Sequence, residues 1–167
     1  TAQNSRAISS EGQIVIRGNA AISNNSTTLN TETVVSTKST GDAIRIEGGS
    51  VEAKQNSIAV RTYNEGNIVV TGGTVKALGA NSAIYADKGS VVIEGGTISA
   101  ESGCAIKVIG ETATVSVSGT AEVTGKSENP TISTKGNVEI SGSALVSNIS
   151  SGNAISSFKN ITINGGM

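Results

Sequence analysis

Seven short stretches of this 167-residue chain alternate apolar and polar positions and then close on a glycine: Gly18, Gly48, Gly72, Gly95, Gly119, Gly142 and Gly165. The steps between them are 30, 24, 23, 24, 23 and 23 residues. Four and two places before each glycine stand Ile14/Ile16, Ile44/Ile46, Ile68/Val70, Val91/Ile93, Val115/Val117, Val138/Ile140 and Ile161/Ile163. All fourteen are Ile or Val, types that fill only 35 of the 167 positions, so chance does not account for the two columns. The residue just before each glycine is Arg17, Glu47, Thr71, Glu94, Ser118, Ser141 or Asn164, never apolar. Alternation of period two with one polar face is the mark of a half-buried strand.

A second strand follows each glycine in one of two spellings. A Gly-Gly pair leads into Ser50-Val51-Glu52-Ala53, Thr74-Val75-Lys76-Ala77 or Thr97-Ile98-Ser99-Ala100. A single Gly precedes Ala20-Ala21-Ile22, Ala121-Glu122-Val123 or Ala144-Leu145-Val146. The inward parity differs by one residue between the two classes. The second Gly absorbs that shift, since glycine takes positive φ or a bulge without a Cβ penalty. A third aliphatic run precedes the next mark: Ile8, Val35, Ile58/Val60, Ile84/Ala86, Ile106/Val108, Ile132 and Ile155. Three short strands in about 23 residues cannot bury an apolar face alone, but repeats stacked in register can.

Every strand type recurs in the same direction at the same phase. Antiparallel hairpins would instead give mirrored patterns and tight Asn-Gly or Asp-Gly turns. The expected fold is therefore all-β: a single-stranded parallel β-helix with three short strands per coil of about 23 residues and about six to seven coils. Parallel crossovers are overwhelmingly right-handed, which sets the expected hand. The whole of 1–167 reads as one β-solenoid domain. The long first step carries "NNSTTLNTE", read as a loop insertion in the first coil spanning 24–33. The third-strand pattern at Thr1 to Ser10 and the mid-repeat Gly165-Gly166-Met167 carry no atypical capping repeat, so the expectation is a segment of a longer protein, with flanking-repeat or end-to-end contacts.

Composition narrows the functional classes. There are two Tyr, one Phe and no Trp, so the core must be built from small branched side chains. A net charge of −1 offers no overall basic field for nucleic acid. No apolar run approaches the roughly 20 residues of a membrane-spanning helix, so no membrane insertion is expected. The absence of histidine removes Ser-His-Asp triads and histidine metal sites. Asp42 and Asp87 are the only aspartates, too few for calcium loops built on several of them, so neither metal nor cofactor is expected. Cys104 shares a column with Asn56, Ser82, Pro130 and Asn153 and reads as a small core residue near a corner, with no histidine to activate it. The eleven glutamates scatter over different walls rather than forming a glycosidase pair.

Outward positions of the third strand repay attention, because stacked coils set equivalent residues side by side. Aligning Ile58 with Ile84 gives one column of Ala59, Tyr85, Lys107, Ser133 and Ser156, and another of Arg61, Asp87, Ile109, Lys135 and Phe158. Tyr63 follows by the same phase. Arg61, Tyr63, Tyr85, Asp87 and Lys107 thus form the candidate ligand-binding patch, offering ring faces and hydrogen-bond donors to a sugar. An ordinary solvated wall with cross-coil ion pairs is the alternative. Glu52 and Lys76 on neighbouring coils read as one such pair, worth under about 1 kcal/mol. The hydroxyls of Ser50, Thr74 and Thr97 make a ladder too short for an ice-binding array.

At "GSVVIEGGTISAESGCAIKV" the chain resembles bacterial surface β-solenoids of a carbohydrate-binding family known from clostridia and their relatives. The family phrase, aliphatic-x-aliphatic-x-Gly-Gly-Thr-aliphatic, is matched at Val91 to Ile98, at Ile68 to Val75 and, with Ser for Thr, at Ile44 to Val51. Where the family continues with Asp-Gly-Ile, this chain has Ser82-Ala83-Ile84, Cys104-Ala105-Ile106 and Asn153-Ala154-Ile155, without the carboxylate. The resemblance implies a bacterial extracellular or cell-surface protein whose partner is a polysaccharide or host glycan. Three functional classes are expected in order: a non-enzymatic scaffold or adhesin segment, a carbohydrate-binding module using an outward wall, and a polysaccharide lyase-like enzyme.

Overall fold

A three-residue strand with Ile or Val at both inward positions has nowhere to hide them except against its neighbours. The chain meets that demand by winding. The computed structural model, which describes residues 6–24 and 33–166, is a right-handed parallel β-solenoid of about six turns, about 24 residues to the turn. Three walls run along it, two of seven strands and one of six.

Numbered along the chain, the first wall stacks β1 (Ile8–Ser10), β4 (Thr33–Thr37), β7 (Ile58–Thr62), β10 (Ile84–Ala86), β13 (Ile106–Val108), β16 (Ile132–Thr134) and β19 (Ile155–Ser157). The second stacks β2 (Ile14–Ile16), β5 (Asp42–Ile46), β8 (Asn67–Val70), β11 (Val91–Ile93), β14 (Thr114–Val117), β17 (Asn137–Gly142) and β20 (Ile161–Gly165). The third stacks β3 (Ala21–Asn24), β6 (Ser50–Ala53), β9 (Thr74–Ala77), β12 (Thr97–Ala100), β15 (Glu122–Gly125) and β18 (Leu145–Asn148). Every pairing is parallel and joins a strand to its counterpart one coil away, so consecutive strands never form hairpins.

On the second wall the fourteen Ile and Val side chains pair as their spacing predicts. Ile14 lies beside Ile44, Ile44 beside Ile68, Ile68 beside Val91, and so on to Ile161, with the second column two residues later. The third wall adds Ile22, Val51, Val75, Ile98, Val123 and Val146 in one ladder. Beside it runs a column of small and amide side chains, Asn24, Ala53, Ala77, Ala100, Gly125 and Asn148, of which Asn24 and the three alanines are fully buried. Each fully buried branched side chain contributes about 1.5–3 kcal/mol, and its dry surroundings are supplied by the coils on either side.

The two corner spellings differ as the parity argument requires. In the one-glycine class Arg17, Ser118 and Ser141 accept bonds from the amides of Ala20, Ala121 and Ala144, with positive φ at Gly18, Gly119 and Gly142. That is a four-residue turn with glycine first in the middle, as type II′ demands. In the Gly-Gly class positive φ moves to the second glycine, Gly49, Gly73 or Gly96. A Cβ on Gly73 would stand 2.6 Å from the carbonyl oxygen of Gly49 one coil below. Both conformation and stacking therefore exclude a side chain there.

Three expectations are corrected. Asn24 and Thr33 are not loop residues: Asn24 closes β3 beside Ala53, Thr33 opens β4, and both are fully buried. The rest of the proposed insertion, 25–32, lies outside the described residues, as do residues 1–5 of the first partial coil. On the first wall Val60, not Ile58, pairs with Ile84, so Ile58 rather than Asn56 precedes Ser82 and Cys104 in their column. Lys76 does stand beside Glu52 in register, but its ammonium lies 3.9 Å from Glu101, which also accepts from Lys126 at 3.0 Å.

Truncating Ile98 to Ala is expected to cost about 2–5 kcal/mol in denaturant unfolding, while Ser116→Ala on an outward position changes stability by less than about 0.5 kcal/mol. Gly73→Ala is expected to destabilise by at least about 1–3 kcal/mol, whereas Gly12→Ala, which meets only the Ser10 hydroxyl at 3.8 Å, is near neutral in the same measurement.

Candidate functional site

Outward positions on the three walls are mostly Ser, Thr, Val or single charges, and the two tyrosines stand together with charged side chains in the middle of the first wall. Alternation along β7 turns Arg61 and Tyr63 to the same face, and along β10 it does the same for Tyr85 and Asp87. Stacking sets Tyr85 between Arg61 on the coil below and Lys107 on the coil above. The five candidate residues do come together, though in a different arrangement from the expected one. Arg61 shares its column with Tyr85, and Tyr63 takes the place beside Asp87 that the sequence alignment gave to Arg61.

The Arg61 guanidinium is the hub. One amino group donates to both carboxylate oxygens of Asp87, at 3.0 and 3.3 Å, and the two side chains are each 21% exposed. Its central carbon lies 4.3 Å from the Tyr63 ring centroid and 4.8 Å from that of Tyr85. Lys107 Nζ lies 5.9 Å from the Tyr85 centroid. Arg6, which the sequence reading missed, adds its guanidinium 5.4 Å from the Tyr63 centroid and donates to the Tyr63 hydroxyl at 3.1 Å. Half-buried contacts of this kind contribute about 0.5–2 kcal/mol each.

This geometry alters what the patch offers. The expected open ring faces are engaged by cations: Tyr63 stands between Arg6 and Arg61, and Tyr85 between Arg61 and Lys107, each ring separating like charges. What remains outward is the Lys107 ammonium, the Tyr85 hydroxyl and the free edge of the Arg61–Asp87 pair. Burial pushes the Tyr85 phenol above its ordinary value, the Asp87 charge adds to the rise, and Arg61 opposes it. Cys104 lines a recess of about 100 Å³ with Tyr85 and Lys107 at the corner entering this wall. Its thiol is likewise pushed up by burial against the weaker pull of Lys107, which keeps it protonated and inert at neutral pH.

The open aromatic ring is elsewhere. Phe158, 82% exposed, stands in the column that runs from Asp87 through Ile109 and Lys135. It lines a groove of about 330 Å³ with Glu111, Lys135 and Lys159. Glu111 also borders a neighbouring groove of about 590 Å³, where Glu65, Asn67, Ser90 and Thr112 supply polar groups and Ile109 an apolar one. The alternation pattern placed Phe158 and Ile109 outward, yet a lone aromatic in a polar column gave no sign of how little covers it. Among the described residues no three acidic or Cys side chains gather where a metal ion could sit. Compared with known families, curated proteins and solved structures, the chain matches none.

In a Tyr63→Phe background, absorbance titration is expected to show Tyr85 ionising above the ordinary value near 10, and Asp87→Asn is expected to lower it. Because the folded value is raised, this group's contribution to stability is complete below the unfolded value and is lost as pH climbs through the folded one. Asp87→Asn should therefore flatten the alkaline decline in stability.

Proposed function

We propose that the chain is a non-enzymatic scaffold or adhesin segment at a bacterial cell surface, a stiff rod that presents its outward walls at fixed spacing. The observation that carries this reading is the register of three parallel ladders, held coil after coil among the described residues but for one bulge between Asp42 and Ile44. It commits nearly every inward side chain to the stack and leaves outward positions on a repeat of about 4.8 Å along a rod about 30 Å long.

A second reading, a carbohydrate-binding module, draws on the resemblance of the repeat phrase to the clostridial family and on the first wall. There the Arg61–Asp87 pair, Lys107 and the Tyr85 hydroxyl provide directional hydrogen-bonding groups. Phe158 provides an uncovered ring for the apolar face of a sugar.

A coil excision tests the first reading. Deleting 74–96 joins Gly73 to Thr97, the same junction that Gly96 makes, and removes one whole turn with Tyr85 and Asp87. The shortened chain is expected to keep its β-sheet circular dichroism, to lose about 4.8 Å of length in scattering, and to release no reducing ends from any polysaccharide, as for the intact chain. Cleavage by the intact chain that the excision abolishes would overturn the scaffold. A glycan array with the intact chain and with Lys107→Ala/Phe158→Ala separates the second reading, since loss of a signal in that variant locates binding on the first wall.

A further inference from the structure

The charges are not spread evenly around the rod. The first wall, with Arg6 and the corner leading to the second wall, holds seven of the twelve basic side chains and four of the thirteen acidic ones. Two of those four acids are taken up within the wall, Glu11 by Lys38 at 3.3 Å and Asp87 by Arg61. Lys88, Lys107, Lys135 and Lys159 have no carboxylate within 4 Å among the described residues, and they fall one to a coil on four successive coils. The second wall is the counterpart. Its basic residues, Arg17 and Arg45, sit on the first two coils and are held by Glu47 and Asp42. Farther along it carries only Glu94 and Glu139, both without a basic partner within 4 Å among the described residues.

We infer that the basic half of the first wall docks laterally against the acidic half of the second wall of another copy of this chain. Both stretches occupy the same coils, so rods lying parallel and level bring lysines of one copy opposite glutamates of the next. All walls share one axial repeat, so a match at one coil is repeated along the contact rather than drifting out of phase. At the levels of the exposed Ile109 and Phe158 the outward column of the second wall carries Ser116 and Thr162, so the charges and not apolar contact carry the docking. Different surfaces meet, so the contact is heterologous: each rod keeps one free face and a row can grow. The four coils span only about 15 Å along the axis, so the contact is smaller than a standard protein interface and the association is weak and strongly salt-dependent.

Sedimentation equilibrium of the intact chain tests this. Mass is expected to rise with concentration at about 0.02 M salt and to return to the monomer at about 0.3 M. Lys107→Glu/Lys135→Glu is expected to stay monomeric at low salt, and so is Glu94→Lys/Glu139→Lys. An equimolar mixture of the two should associate again, because each retains or acquires the face the other needs. Lys76→Glu/Lys126→Glu, on the third wall, should leave the wild-type behaviour unchanged. Circular dichroism of each variant checks that the rod is folded. A wild type that is monomeric at low salt, association insensitive to the first two swaps, or a mixture that stays monomeric would each overturn the inference.

Discussion

Branched aliphatic side chains packed against copies of themselves one coil away hold this molecule together. The backbone ladder fixes the axial separation at about 4.8 Å, close enough for an Ile or Val on one coil to cover the one below. A single coil has no core. Only the stack does, which is why the interior tolerates so little variation: two Ile or Val on the second wall, one on the third beside an Asn, Ala or Gly, and one on the first. The same dependence makes each coil the others' solvent shield, and it leaves the outward positions free to vary.

The corners are the second constraint, and they follow from the first. A coil that must return into register has to turn sharply three times, and where successive coils turn in the same place their backbones crowd. At Gly73 and Gly96 the carbonyl oxygen of the coil below would stand 2.6 Å from any Cβ, so glycine is stacked on glycine. Charges on the walls then settle into pairs across coils, such as Arg17 with Glu47 at 2.7 Å and Arg61 with Asp87 at 3.0 Å. Such pairs decide the character of a wall more than its stability.

The second wall was legible to the residue because a glycine marks its end at a nearly constant step. No such mark follows the first wall. Ile58 and Val60 are both aliphatic, and aligning the wrong one displaced Arg61 and Tyr63 by one position along the strand. The step of 24 residues from Val60 to Ile84 matches that from Gly48 to Gly72 and would have chosen correctly. Asn24 was misread for another reason. Its composition is that of a loop, and only tertiary structure supplies Ser57 as the buried acceptor of its amide at 2.8 Å. The crowding of cations over both tyrosine rings was equally hidden, since it depends on side-chain direction between coils rather than on spacing.

The most direct test of the stacked coil is a set of electron–electron distances between spin labels placed down one outward column. Val15, Ser116 and Thr162 occupy equivalent positions on the first, fifth and seventh strands of the second wall. With Cys104 replaced by Ala, labels at 15 and 116 should lie about 19 Å apart and those at 15 and 162 about 29 Å apart, a constant 4.8 Å per repeat within label reach. Separations growing by about 14 Å per repeat, as an antiparallel sheet with three strands to each repeat would impose, would contradict the account.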